Sequence, residues 1–268
     1  GMELGASILS AACIRVAVIP IGKVPQAVLR AYWELVSSHV EIDLRGVQSF
    51  YTNNHKSPFA YQPWRTGHMR LRYLLDPSGD SSPWSGFQAH RKVLGVIGIC
   101  HCPSLEGGDI ADAYSDFLAA AQRFPDALAL RCFAFDPSDG QVAQDGQGME
   151  HLITFPPGDR THLEFHLLMM MQDFAAALLM GLEKWVLSAD PSVVSLTTAL
   201  DAGEEEERLL DSLRGRTDRN GDLKKRRLGR LQKAIGDYCL LAGSPLDAAD
   251  KYLASSELSR QSGDTVWL

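Results

Sequence analysis

Gly22 and Lys23 are the first residues whose types could do chemistry. They lie between a β-branched stretch and a helical pattern, where a phosphate-binding loop holds phosphate oxygens with backbone amides and a lysine. The rest of that signature is missing, because Ala17 replaces the first glycine and Val24 replaces the magnesium-binding serine or threonine. We therefore interpret the segment as a tight turn from strand to helix and predict no nucleotide cofactor.

His162 and His166 are a second candidate, with Glu164 between them. On a helix the two imidazoles share one face, as zinc ligands do. The spacing His-x-Glu-x-His differs from His-Glu-x-x-His, so the glutamate points away from the position of a catalytic base. A solvated helix start is the favoured interpretation, and a metal-dependent or small-molecule enzyme that uses His162 and His166 is the alternative.

Cys100, His101 and Cys102 end an apolar run. In a strand their side chains alternate between the two faces, which suits packing better than metal ligation. The sequence has no Gly-x-Ser-x-Gly elbow and no paired carboxylates or Cys-His arrangement that stand out. We predict that the chain is not an enzyme and has no catalytic residue, metal or cofactor.

A basic cluster is the candidate interaction patch. Its members are Lys224, Lys225, Arg226, Arg227 and Arg230. Such a cluster at a helix start can contact acidic protein or lipid headgroups. The alternative is a solvated helix face that balances the acidic run Glu204–Glu207 upstream.

Composition limits the class of partner and the compartment. The 268 residues carry a formal net charge of −7, which disfavours nucleic acid and anionic membranes as partners of the whole surface. The five scattered cysteines are odd in number and favour a reducing, cytosolic compartment. Polar residues interrupt the apolar stretch Leu163–Leu187, so we predict a soluble protein whose membrane association is peripheral.

These residues need an α/β framework to position them. The apolar run from Val93 to Cys102 predicts a strand buried on both faces at the centre of a sheet. Two alternating segments, Val40–Tyr51 and Met69–Leu75, predict strands that pair antiparallel at one edge. Further strands are predicted at Ile14–Pro20, Ala127–Phe135 and His151–Phe155, and helices at Pro25–Ser38, Asp109–Arg123 and Thr161–Ser188.

The composition changes after Asp190, which predicts a domain boundary. Downstream, the spacing of Gly236, Ala248 and Tyr252 fits a tetratricopeptide-like helix pair. One such pair cannot bury its own face, so we expect the helical array to continue beyond the chain. The predicted divisions are a tag remnant and flexible N-terminus at 1–13, an α/β domain at 14–190, a flexible linker at 191–222 and the first solenoid helices at 223–268.

Two segments also carry a family resemblance. Trp84–Gly98 and Lys224–Pro245 resemble the N-terminal part of a large subunit of the TRAPP II tethering complex, of the NIK- and IKK-binding protein family. Ser49–Tyr51, Lys56–Phe59 and Phe155–Pro157 are similar to the plant form in particular. The resemblance extends over nearly the whole chain except residues 1–13 and 191–222.

The resemblance implies a noncatalytic scaffold subunit that acts in vesicle tethering and in nucleotide exchange on Rab-family GTPases. It implies other TRAPP subunits as partners, a Rab GTPase through the complex, and a cytoplasmic location with peripheral association at the Golgi and trans-Golgi network. The exchange chemistry belongs to the small core subunits, so no catalytic residue is implied here. The implied fold is a mixed, mostly parallel GTPase-like (Rossmann-like) sheet flanked by helices, followed by an α-helical, tetratricopeptide-like solenoid.

Overall fold

A computed structural model describes residues 8–52, 56–78, 88–105, 109–142, 148–190 and 219–264. The strands are β1 (Cys13–Ile21), β2 (Glu41–Asp43), β3 (His68–Leu75), β4 (Val93–His101), β5 (Ala129–Phe135) and β6 (Leu152–Phe155). The helices are α1 (Gln26–Ser37), α2 (Leu44–Gln48), α3 (Ile110–Ala121), α4 (Asp139–Val142), α5 (Arg160–Ser188), α6 (Arg219–Leu241) and α7 (Pro245–Ser262).

Several sequence predictions lie outside these described residues. They concern the tag remnant at 1–2, the family motif at 84–87, linker residues 191–218 and the chain end at 267–268. Residues 219–222, which the sequence assigns to the linker, belong to α6. The division into domains stays a prediction.

The strands form one six-stranded sheet in the order β2-β3-β1-β4-β5-β6. Every neighbouring pair is parallel except β2 with β3, which is antiparallel at the edge. The central position of β4 and the antiparallel edge pair confirm the sequence predictions. Parallel neighbours need long crossovers, and these place helices on both faces of the sheet.

The edge strand is shorter than the alternation from Val40 to Tyr51 predicts. β2 has only three residues, and α2 follows at once. The side chain of Asp43 accepts a hydrogen bond from the Arg45 amide at 2.8 Å, which caps the helix. Leu44 and Val47 are three apart and both buried, so this segment also fits a helical turn. The strand prediction for this part is wrong because capping favours the helix.

Two glycines let helices approach β4 closely from opposite faces. A Cβ atom at Gly95 would lie 2.7 Å from Cζ of Phe174 in α5. A Cβ atom at Gly98 would lie 2.6 Å from Cδ2 of Phe117 in α3. Both aromatic side chains are fully buried. The glycines therefore make room for the largest side chains on each side of the central strand.

The two faces of the sheet are covered differently. Residues of α1, α5, α6 and α7 share one hydrophobic cluster with the first face, and residues of α3 share another cluster with the second. On the second face, α3 packs over the later residues of β1, Ala17, Ile19 and Ile21.

The helix α5 is long and apolar enough to span a membrane by length and composition. Its buried residues include Leu167, Phe174 and Leu182, so its apolar character is that of a core helix.

The α6–α7 pair packs at the amino ends of the strands. The amide of Ala89, ahead of β4, donates to Asp237 of α6 at 3.3 Å. Gly243, between the two helices, approaches the first residue of β3, because its Cβ would lie 2.7 Å from the His68 carbonyl oxygen. Trp185 of α5 stacks on Tyr238 of α6 with ring centroids 4.0 Å apart. These contacts join the helix pair to the same core as the sheet.

Candidate functional site

The carboxyl edge of a parallel sheet is where α/β proteins usually bind ligands. Here β1 ends at Ile21 and α1 begins at Gln26, so four residues (22–25) connect them. A phosphate-binding loop needs about eight residues to wrap its amides around a phosphate. Gly22 has a φ of +68°, which makes the turn tight. The connection is too short for that loop, as the failed motif predicts.

A cavity of about 220 Å³ lies beside this turn. Its polar lining comprises Lys23, Ser104 and the carboxylates of Asp109, Asp112 and Asp116. Asp109 also caps α3, because it accepts a hydrogen bond from the Ala111 amide at 2.8 Å. Three carboxylates against one ammonium repel a phosphate group. The cavity is therefore unsuited to a nucleotide.

Tyr32 of α1 closes the carboxyl ends of β4 and β5. Its hydroxyl donates to Oδ2 of Asp136 at 2.7 Å and lies 3.1 Å from Nδ1 of His101. Its ring stacks on Phe135 with centroids 4.0 Å apart. Asp136 has a φ of +55°, which turns the chain as β5 ends. Side chains of the protein itself thus fill the space above these strands.

Two groups at these strand ends, the Tyr32 hydroxyl and the Cys102 thiol, have raised pKa values. Burial raises the pKa of the Tyr32 hydroxyl, and the hydrogen bond to Asp136 raises it further. The pKa of the Cys102 thiol is raised first by its hydrogen bond to Cys100 and then by burial. Thiols that stay protonated are poor nucleophiles. The hydrogen bond to Asp136 and the stacking on Phe135 hold α1 against the carboxyl end of β5.

The two histidines of α5 make different contacts. His162 is exposed, and its Nδ1 lies 2.6 Å from Oδ2 of Asp159, the residue that caps the helix. His166 contacts the ring of Phe155, with centroids 4.7 Å apart. Among the residues that the structure describes, no three His, Cys, Asp or Glu side chains form a group that could hold a metal ion. The structure thus gives the alternative of a metal-dependent enzyme no further support.

The structure divides the basic cluster into two parts. Arg230 is buried, and its guanidinium lies 2.7 Å from the carboxylate of Asp264, whose side chain is only 4% exposed. Arg226 is half-buried, and its Nη2 donates to the Ser262 carbonyl at 3.5 Å. Lys224, Lys225 and Arg227 are exposed. These three remain available for an interaction, whereas Arg230 fixes the chain after α7.

Comparison with known proteins identifies the family. The family model described as Trs120/TRAPPC9, N-terminal domain, matches residues 5–203, which is most of the chain. The chain belongs to the Trs120/TRAPPC9 family. This confirms the resemblance noted in the sequence.

Plant members of the Trs120/TRAPPC9 family are the more similar relatives. The trafficking protein particle complex II-specific subunit 120 homolog of Oryza sativa subsp. japonica is 47% identical over 99% of this chain and 21% of its own length. The Arabidopsis thaliana homolog is 46% identical over the same shares. The human trafficking protein particle complex subunit 9 is 28% identical over 76% of this chain and 17% of its own length. The chain therefore spans about a fifth of the length of these relatives.

Sequence reasoning missed Tyr32 and Asp136. They lie 104 positions apart, so no local pattern connects them. The available signals were Asp136-Pro137 at the end of a predicted strand and a tyrosine on the apolar face of a predicted helix. Such signals mark a turn and a core position, and they do not identify the hydrogen bond between them.

Proposed function

We propose that this chain is the N-terminal platform of a noncatalytic scaffold subunit of the TRAPP II complex. The proposal rests on the plant relatives, which are named as subunits specific to that complex and align with nearly the whole chain. In this proposal the chain works through protein–protein contacts with other TRAPP subunits. Vesicle tethering, nucleotide exchange on a Rab GTPase, and a cytoplasmic location with peripheral association at the Golgi belong to the whole complex.

The observation that carries the noncatalytic part is the carboxyl edge, where Tyr32 covers the ends of β4 and β5 and the cavity beside Lys23 is acidic. The strand order and the antiparallel edge strand support a GTPase-like ancestry for the sheet. Yet the turn after β1 is too short for phosphates, and Tyr32 bonds to Asp136 above the strand ends. A GTPase-like fold without a phosphate-binding loop at its ligand edge still has a buried core and solvent-facing surfaces. Those properties suit a scaffold.

The α6–α7 pair supports the proposed helical solenoid. Gly236 of α6 packs against Tyr252 of α7, because a Cβ at Gly236 would lie 2.7 Å from the tyrosine ring. On the outer side of α7, Leu246 is 62% exposed and Leu253 is 71% exposed. These residues are seven apart and share a helix face. We propose that the next helix of the longer protein covers them.

A calorimetric titration tests the noncatalytic part. Purified chain is titrated with GTP and GDP in the presence of Mg²⁺, with a Lys23→Ala variant as the matched control. We expect no binding heat for either protein. Micromolar binding that disappears in Lys23→Ala would overturn the proposal.

Size-exclusion chromatography tests the assembly part. Tagged chain is mixed with purified TRAPP II subunits that lack its parent subunit, and comigration is the expected result. A variant in which Lys224, Lys225 and Arg227 are all changed to Glu tests whether the exposed part of the basic cluster contributes a contact. A chain that elutes alone in every mixture would contradict membership of the complex, whereas comigration of the variant would exclude only this surface.

A further inference from the structure

The exposed part of the basic cluster consists of Lys224, Lys225 and Arg227, near the start of α6. Within the described part of the chain, none of these three side chains has an ion pair or a hydrogen bond. Several exposed arginines elsewhere do have a carboxylate partner. The pairs are Arg30 with Glu34, Arg123 with Asp76 and Arg160 with Glu164. The three cations of α6 therefore differ from much of the charged surface of this molecule.

The carboxylates around the start of α6 do not balance these cations. The acidic residue in the first turn of α6 is Asp222, which is exposed and contributes one negative charge. At the facing end of α7, Asp264 pairs with Arg230 and Glu257 pairs with Arg260. Those two carboxylates already have cationic partners. Among the described residues, the surface at the start of α6 thus carries an excess of positive charge.

The three cations are spread around the helix. At about 100° per residue, Lys224 lies between the other two, and Lys225 and Arg227 are about 160° apart around the axis. Lys224 and Arg227 are also three residues apart, where like charges on a helix repel each other. An anionic ligand that reaches more than one side of the helix would relieve this repulsion.

The same geometry disfavours a membrane as the ligand. A bilayer is flat and meets one side of a helix, so it cannot contact Lys225 and Arg227 equally. A membrane-binding helix also inserts an exposed apolar face beside its basic residues. Here the neighbouring leucines, Leu223 and Leu228, are half-buried.

We propose that the exposed part of the basic cluster binds an acidic segment of a partner protein. Carboxylates of such a segment form charge-assisted hydrogen bonds with lysine and arginine. The net charge of −7 opposes contact with a broad anionic surface, such as a bilayer or a nucleic acid. A short acidic segment responds mainly to charges within about one Debye length, roughly 8–10 Å in physiological salt. This inference rests on the proposed scaffold function and names the chemistry of one of its partners.

A binding assay with a defined probe tests the proposal. A fluorescein-labelled peptide of alternating glutamate and serine is titrated with the purified chain, and anisotropy is read at about 50 mM and about 300 mM NaCl. We expect binding at low salt that weakens at high salt, and no binding of a peptide with glutamine in place of glutamate. In a Lys224→Gln/Lys225→Gln/Arg227→Gln variant, we expect affinity for the glutamate peptide to fall at least about tenfold. Glutamine has nearly the helix propensity of lysine and arginine, so α6 should remain folded.

Two further variants separate the position of the charges from their number and from folding. Arg65→Gln/Arg72→Gln/Lys184→Gln removes the same total charge at three exposed positions elsewhere, and we expect affinity to change by less than about twofold. Lys224→Arg/Lys225→Arg/Arg227→Lys keeps all three charges at the start of α6, and we expect affinity within about threefold of the wild type.

The proposal fails if the wild-type chain does not bind the glutamate peptide, or if the control with three distant substitutions loses as much affinity as the test variant. It also fails if the test variant loses cosedimentation with phosphatidylserine vesicles and keeps its peptide affinity, because the ligand would then be a lipid surface. A chain that binds the peptide and elutes alone from TRAPP II subunits would contradict the proposed function. A chain that comigrates with those subunits and does not bind the peptide would contradict this inference alone.

Discussion

The two edges of the sheet have opposite characters. At the carboxyl edge, Tyr32 reaches across to Asp136, and the cavity beside Lys23 is lined by carboxylates. At the amino edge, the α6–α7 pair packs against the strands, with Gly243 against the carbonyl of His68. At the carboxyl edge, side chains of α1 and of the turn after β5 cover strand ends, and at the amino edge a helix pair from the end of the described chain does so.

The proposed platform function depends on this difference. Parallel sheets place their loops and ligands at the carboxyl edge, and variation there usually changes activity. In this chain Tyr32 and Asp136 cover part of that edge and the cavity that remains is acidic, whereas the amino edge joins the sheet to the helix pair. Substitutions at the two edges should therefore have different consequences, and four of them test that expectation.

The largest effect is expected from Asp264→Asn. The substitution removes the carboxylate charge that lies 2.7 Å from the buried Arg230 guanidinium, and breaking such a buried ion pair costs about 3–5 kcal/mol. Urea unfolding followed by circular dichroism measures the free energy of unfolding. Glu257→Gln is the control, since its ion pair with Arg260 is exposed and 3.9 Å long. A loss at Asp264 no larger than that control would show that the buried pair does not stabilise the helix pair.

Gly243→Ala should have the next largest effect. Gly243 has a φ of +77°, and its new Cβ would lie 2.7 Å from the His68 carbonyl oxygen. We expect a loss of about 2–3 kcal/mol from the left-handed backbone and the contact together. At Gly263, with a φ of +66° and nothing within 4 Å, alanine adds only the backbone cost. Thermal unfolding compares the Gly243→Ala and Gly263→Ala variants. Equal losses of stability would mean that the contact between the new Cβ and the His68 carbonyl adds no cost.

Tyr32→Phe tests the carboxyl edge and should cost about 1–2 kcal/mol through the lost hydrogen bond to Asp136. It should also alter the pH dependence of stability. The pKa of Tyr32 in the folded protein is raised above its ordinary value of 10.0. The stability that this shift gives the folded state is therefore fully present below pH 10.0 and is lost as the pH rises above it.

Denaturant unfolding between about pH 8 and pH 11 measures this dependence. The free energy of unfolding should fall less steeply above pH 10.0 in the variant than in the wild type. It will still fall in the variant, because burial also raises the pKa values of Tyr73, Tyr238 and Tyr252. An identical slope in both proteins would show that Tyr32 is not held protonated by the fold.

Lys23→Ala should have the smallest effect. Lys23 is exposed beside the acidic cavity, and surface substitutions usually change stability by less than about 0.5 kcal/mol. Comigration with TRAPP II subunits should also be unchanged. A large loss of comigration in this variant would show instead that the carboxyl edge carries a contact with a TRAPP II subunit.

The sequence predicted much of the sheet because its signals are local. Continuous apolar residues mark β4, alternation marks β3, and Asp109 marks the start of α3. The failed phosphate loop also follows from local identity at Ala17 and Val24. Each of these predictions needs only neighbouring residues.

The rest depends on contacts between distant residues. Arg230 belongs to a run of charges in the sequence, yet its partner Asp264 lies 34 positions away and buries it. Arg15 and Arg72 become neighbours only when β1 pairs with β3. The contacts of the α6–α7 pair with β3 and α5 also join distant residues, because an amphipathic pattern does not identify the surface that a helix covers.

The stacking of Trp185 on Tyr238 has a consequence for biosynthesis. During translation the sheet and α5 leave the ribosome before α6 does, so this side of α5 stays uncovered until α6 follows. Exposed apolar surface on a nascent chain attracts chaperones and promotes aggregation. A fragment cut at residue 203, where the family model ends, would keep that surface bare permanently. The shortest unit that can be produced in good yield should therefore extend through α7.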